Sequence, residues 1–119
     1  MSSVSPLVIA TVVCAVANVS IAIADYVRAP FVLANSAAVR VPPTALPYLA
    51  TLKLAGALGL LAGLLGAPRL GLAAGAGLTA FFLGAVLAHV RARVFRTLAF
   101  PGGFLLLAVA ATVFFATGP

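Results

Sequence analysis

LVIATVVCAVANVSIAIAD, residues 7–25, runs without a charge until it meets Asp25, the only acidic side chain in the protein. A helix rises 1.5 Å per residue, and roughly 20 apolar residues cross the ~30 Å of hydrocarbon in a bilayer. Residues 7–24 therefore read as a membrane crossing. Ala22-Ile23-Ala24 resembles a signal cleavage site, but the apolar stretch exceeds a usual signal core and no Lys or Arg precedes it, so a retained helix is expected. Thr11, Cys14, Asn18 and Asp25 recur at intervals of three, four and seven, which places them on one helical face.

Working outward, three further apolar segments appear at about residues 47–65, 70–90 and 100–117. The chain as a whole is 65% hydrophobic and 7% charged, against about half and about a quarter in soluble domains. It could not cover a soluble surface with polar groups. The expected fold is all-α, an integral membrane four-helix bundle in which residues 1–119 form a single domain. The connection at 25–46 carries Pro30, Pro42 and Pro43 and has no long clean apolar run, which argues against another crossing. Phe31, Val32, Leu33 and Val39 make it too apolar for an ordinary loop, so part of it is expected at the interface or folded back over the helix ends.

Arg28, Arg40, Arg91, Arg93 and Arg96 fall in the first and third connections, with only Arg69 on the opposite side. The positive-inside tendency then places both termini outside and the Arg-rich side in the cytoplasm, in what is expected to be a bacterial cell membrane. The net charge of +6 is explained by topology and anionic headgroups. With no basic stripe interleaved with aromatics, no nucleic-acid partner is expected. Cys14 is the only cysteine, so intramolecular disulfides, CxxC redox pairs and multi-cysteine metal sites are excluded, and it reads as a packing residue. The glycines and alanines of the two middle segments read as close helix packing.

Asp25 ends the first segment, Lys53 lies early in the second and His89 late in the third. With alternating directions all three fall toward the Arg-rich side. Each has a structural reading: a snorkelling lysine, an interfacial aspartate, an interfacial histidine. Their coincidence is the case for a site, because an ion in hydrocarbon costs several kcal/mol unless it is paired or hydrated. Asp25, Lys53 and His89 are the candidate catalytic groups, and Asn18, Tyr48, Thr79, Phe82 and Arg93 the candidate ligand contacts. Asn18 is expected at the floor of an inward pocket. One His and one carboxylate are too few for a recognisable metal site, and the cofactor is left unknown.

Leu46-Pro47, Lys53 to Gly56, Leu60 to Gly66, the Gly/Ala-rich run from Pro68 to Leu78 and Ala85 to Arg91 together resemble the DoxX-like family of small four-helix membrane proteins. The resemblance covers roughly residues 7–117. It implies a four-helix bundle, sometimes associated with membrane oxidoreductase complexes or quinone-linked thiosulfate oxidation. Lys53 and His89 match the family's polar positions. The expected function is binding of a lipophilic small molecule such as a quinone, as an accessory subunit of a membrane oxidoreductase assembly, with the lipid bilayer and a homo-oligomer as further partners. The alternative is an enzyme doing acid/base chemistry on a lipophilic substrate: isomerisation, cyclisation or epoxide opening. A proton-coupled exporter is a third reading, weakened because the only acid sits at the end of the first segment.

Overall fold

The computed structural model describes residues 5–117. Within them run α1 (Pro6–Tyr26), α2 (Pro30–Ala38), a 3-10 turn (Pro43–Ala45), α3 (Leu46–Leu64), α4 (Pro68–Arg91) and α5 (Ala99–Thr117), and no strand. Four of these helices are long and apolar enough to cross a membrane, as expected of an all-α membrane bundle. Beside these four spans a fifth, short helix, α2, lies in the proline-bounded connection. Pro30 starts it at a position where the missing N–H is no loss, and the chain leaves it before Pro42 and Pro43.

Proline plays the same part at the first turn of α1, α3 and α4. In α1 the Ser5 hydroxyl oxygen also accepts from the Val8 N–H at 3.2 Å, a side-chain cap for one of the orphan donors. In hydrocarbon no water serves polar groups, and the hydroxyls inside the spans turn back on their own helices. Thr11 donates to the Leu7 carbonyl at 2.7 Å, Thr79 to Gly75 at 2.8 Å and Thr112 to Ala108 at 2.7 Å.

The spans pack as a ring in which α1 touches α3 and α5, and α4 touches α3 and α5. The bundle measures 45 × 24 × 20 Å, a cross-section of two helices by two. Cys14, Ala15, Ala57, Leu60, Leu78, Phe82, Ala108 and Ala111 form its core. The stripe expected on the first segment is buried, with Thr11, Cys14, Asn18 and Asp25 all inside. Small residues set the closeness of the helices. A Cβ on Gly59 would sit 2.6 Å from the Ala74 Cβ, one on Gly63 2.6 Å from the Gly71 Cα, and one on Gly75 2.7 Å from the Thr112 Oγ1. Backbones approach where those side chains are missing.

Gly75 gives the sharpest test of this packing, because its neighbour includes the Thr112 Cα at 3.1 Å and so cannot swing away. Gly75→Ala should lower stability by roughly 1–3 kcal/mol. Gly77→Ala, which meets nothing within 4 Å, should be neutral or raise stability by up to ~1 kcal/mol through helix propensity. Unfolding in mixed micelles, followed by circular dichroism, checks both; equal effects would contradict the packing account.

Candidate functional site

Asp25 lies in the last turn of α1 and Lys53 two turns into α3, and because α1 and α3 run antiparallel the two meet. The Lys53 Nζ donates to the Asp25 Oδ2 at 2.7 Å. The aspartate side chain is 3% exposed and the lysine 12%, so the pair is shielded on both sides. The Lys53 Nζ also stands 5.5 Å from the centre of the Phe81 ring, a cation–π contact from α4.

His89 is buried near the end of α4. Its Nδ1 is 2.8 Å from the Ala85 carbonyl oxygen. That oxygen only accepts, so Nδ1 carries the proton. On the other side Nε2 lies 3.2 Å from the Asn35 Oδ1, which also accepts from the Thr97 hydroxyl at 2.8 Å. An imidazolium satisfies this arrangement by donating from both nitrogens. A neutral ring satisfies it only when the Asn35 amide is turned over to donate to Nε2. Either way Asn35 ties α2 to the end of α4 and to Thr97, just ahead of α5.

These two polar groups face one cleft of about 460 Å³ beneath α2. Its walls are mainly apolar, built from Val32 of α2, Leu46 and Leu49 of α3, Phe81 and Phe82 of α4 and Phe104 of α5. The rings of Phe81 and Phe82 meet edge to face at 77° with centroids 5.0 Å apart, and Phe104 packs tilted against Phe82 at 5.1 Å.

Of the residues singled out in the sequence, Asp25, Lys53, Phe82 and His89 line this cleft. Four do not. Asn18 is fully buried on α1, where its Nδ2 donates to the Cys14 carbonyl at 2.9 Å and its Oδ1 has no partner. It serves its own helix instead of a pocket floor. Tyr48 is 75% exposed, because the inward stripe of α3 runs through Leu46, Ala50, Lys53, Ala57 and Leu60 and Tyr48 points off the opposite face. Thr79 faces α5, with its hydroxyl 3.2 Å from that of Thr112. Arg93 is exposed past the end of α4, where the backbone turns left-handed at φ 58°.

Asn35, Ser36 and Thr97 were missed. A short polar pair, Asn35-Ser36, inside an otherwise apolar segment bounded by prolines was the available signal.

The ion pair makes a directional prediction. Lys53→Met leaves a buried carboxylate unpaired and should cost about 3–5 kcal/mol. Asp25→Asn leaves the less deeply buried lysine, free to snorkel, and should cost less. The double variant should be more stable than the sum of the two losses implies, a coupling read from a double-mutant cycle in micelles; strict additivity would mean that the pair does not act as one.

The sequence model of the DoxX-like family matches residues 9–111, which holds α3, α4 and all of the cleft-lining side chains. No curated protein and no solved structure matches the chain.

Proposed function

The chain belongs to the DoxX-like family, and from that premise we propose that it binds a lipophilic small molecule in the cleft beneath α2. The polar head lies against Lys53, His89 and Asn35 and the apolar body against Phe81, Phe82 and Phe104. The observation that carries this reading is the composition of the cleft. Ligand sites are concave, mostly apolar and about 300–1,000 Å³, with a few convergent polar groups that fix orientation. A cleft of about 460 Å³ with aromatic walls, one ion pair and one imidazole–amide pair has that character.

A quinone is one lipophile of this kind, since its carbonyl oxygens would accept from the Lys53 ammonium and from the Asn35 amide, which His89 holds in place. In that narrower version the chain is an accessory subunit of a membrane oxidoreductase, and electron transfer belongs to the partner. Support comes from the family resemblance and from a chain whose only cysteine, Cys14, is buried in the core.

Protein purified in mild detergent and extracted with organic solvent should release a lipophile in near-stoichiometric amount. Ala85→Phe, which projects a ring into the cleft, should cut retention by about tenfold or more, the equivalent of ~1.4 kcal/mol. Equal retention in the two proteins, or none in the wild type, rejects the reading. Redox-dependent absorbance of the extract decides whether the lipophile is a quinone, and copurification with an oxidoreductase decides the subunit role.

Acid/base catalysis is the second reading, favoured by the placement of Asp25, Lys53 and His89 on one mainly apolar cleft. The ammonium would stabilise developing negative charge, and the imidazole would hold or give the proton. If so, His89→Gln and Asp25→Asn should each remove turnover of a lipophilic epoxide or isomerisable substrate while leaving the helical content intact; unaltered turnover would eliminate these roles.

A further inference from the structure

Four helices end in the same way. The N–H of Ala29 bonds to the Ala24 carbonyl at 3.0 Å, that of Val41 to Ser36 at 2.8 Å, that of Ala67 to Ala62 at 3.0 Å and that of Val94 to His89 at 2.8 Å. These are Schellman closures of α1, α2, α3 and α4, and each requires a left-handed residue just past the helix. At the end of α3 that residue is Gly66, with φ 125°. At the other three, all on the Arg-rich side, it is an arginine: Arg28 at φ 52°, Arg40 at φ 66° and Arg93 at φ 58°. Glycine takes this conformation freely and a side chain with a Cβ does not. Each of these arginines therefore occupies a position that the backbone disfavours.

Asp25 is the only acidic side chain, and it is engaged by Lys53 at 2.7 Å. No acidic side chain is left for the six arginines. Arg40 and Arg91 both line an open notch of about 310 Å³, together with Val39, Ala88 and Ala92. Val39 and Ala88 also line the apolar cleft, so the cationic notch and the cleft are adjoining parts of one surface.

We propose that the ligand of the cleft is a phosphate-headed lipid, whose anionic head sits between Arg40 and Arg91 and whose tail passes Val39 and Ala88 into the apolar space beneath α2. The inference rests on the reading of the cleft as a ligand site and replaces the neutral head of a quinone with an anionic one. Guanidinium forks bind phosphate oxygens in pairs, which suits two arginines on one notch. The Lys53–Asp25 pair, electrically neutral as a unit, is left to meet the uncharged part of the lipid. A phospholipid and a polyisoprenoid phosphate share this chemistry, as does free phosphate at the head site alone.

The test uses the full chain in phosphatidylcholine vesicles and two photoreactive probes with the same diazirine-bearing acyl chain, one a phosphatidic acid and the other a diacylglycerol. Peptide mapping after irradiation reads the labelled residues. The phosphatidic acid should label the cleft around Phe81 and Ala85, and Arg40→Gly and Arg91→Gln should each reduce that labelling by about fivefold. Arg40→Gly keeps the helix closure and relieves its backbone, so its loss of labelling is not a loss of fold. Equal cleft labelling by both probes, unchanged in the variants, overturns the phosphate head while leaving the cleft reading intact. Labelling of the outer helix faces alone by both probes overturns the cleft reading and the head assignment with it. Suppression of the phosphatidic acid signal by inorganic phosphate, with diacylglycerol still labelling the cleft, makes the notch a free-phosphate site and overturns the single-ligand proposal; inorganic phosphate without effect supports it.

Discussion

Asp25 and Lys53 meet at 2.7 Å with almost no access to solvent, and the depth of α1 against α3 follows from that pair. An unpaired carboxylate at this position would be costly, so sliding one helix past the other by a single turn would separate two buried charges that satisfy each other. Asp25 is the only acid available to Lys53. With those two helices in register, the Phe81 face of α4 closes over the ammonium, and the floor of the cleft is in place. The glycine contacts then set how tightly the ring closes; the ion pair sets where along the helices it closes.

A second polar contact decides what covers the cleft. Asn35 is the sole residue of α2 in side-chain hydrogen bonds to the rest of the bundle among the described residues, and it reaches two separate groups, His89 and Thr97. Val32 is the buried apolar anchor of the same helix. A nine-residue helix has little intrinsic stability in water, and these contacts are what fix α2 against the bundle. The proton state of His89 and the orientation of the Asn35 amide are coupled, because the ring and the amide must present a donor to an acceptor. The hydrogen bonding of His89 and the seating of α2 are thereby one problem.

The spans were legible because hydrocarbon imposes a length and a composition that no loop imitates. The level of Asp25, Lys53 and His89 was legible from alternation alone, since each lies near the same end of its helix. The stripe of Thr11, Cys14, Asn18 and Asp25 was legible from the helical repeat. Which members of that stripe face a cleft was not, because periodicity gives a face and never its neighbour: Asn18 shares the buried side with Asp25 yet bonds to its own helix. Tyr48 and Arg93 failed for a related reason, because nearness in sequence to a polar residue is not nearness in direction on a helix. Asn35 was hidden by distance, its partners standing 54 and 62 residues away.

The left-handed arginines put two physical demands in conflict, and their resolution bears on what the basic side is for. Charge at the end of a helix interacts favourably with the macrodipole from any position in the last turn, by about 0.3–1 kcal/mol. Arg91 obtains that benefit in ordinary helical geometry at the end of α4. Arg93, two residues later, adds a second cation to a terminus already served, and it does so at φ 58°. A left-handed conformation costs a residue with a Cβ roughly 1–2 kcal/mol, which is at least as large as the dipole term. Capping alone therefore does not account for arginine at Arg28, Arg40 and Arg93, whereas the turn after α3, which faces the other side of the bundle, uses glycine for the same backbone task. The difference between the two sides is the charge presented outward: three left-handed arginines on one, a left-handed glycine on the other.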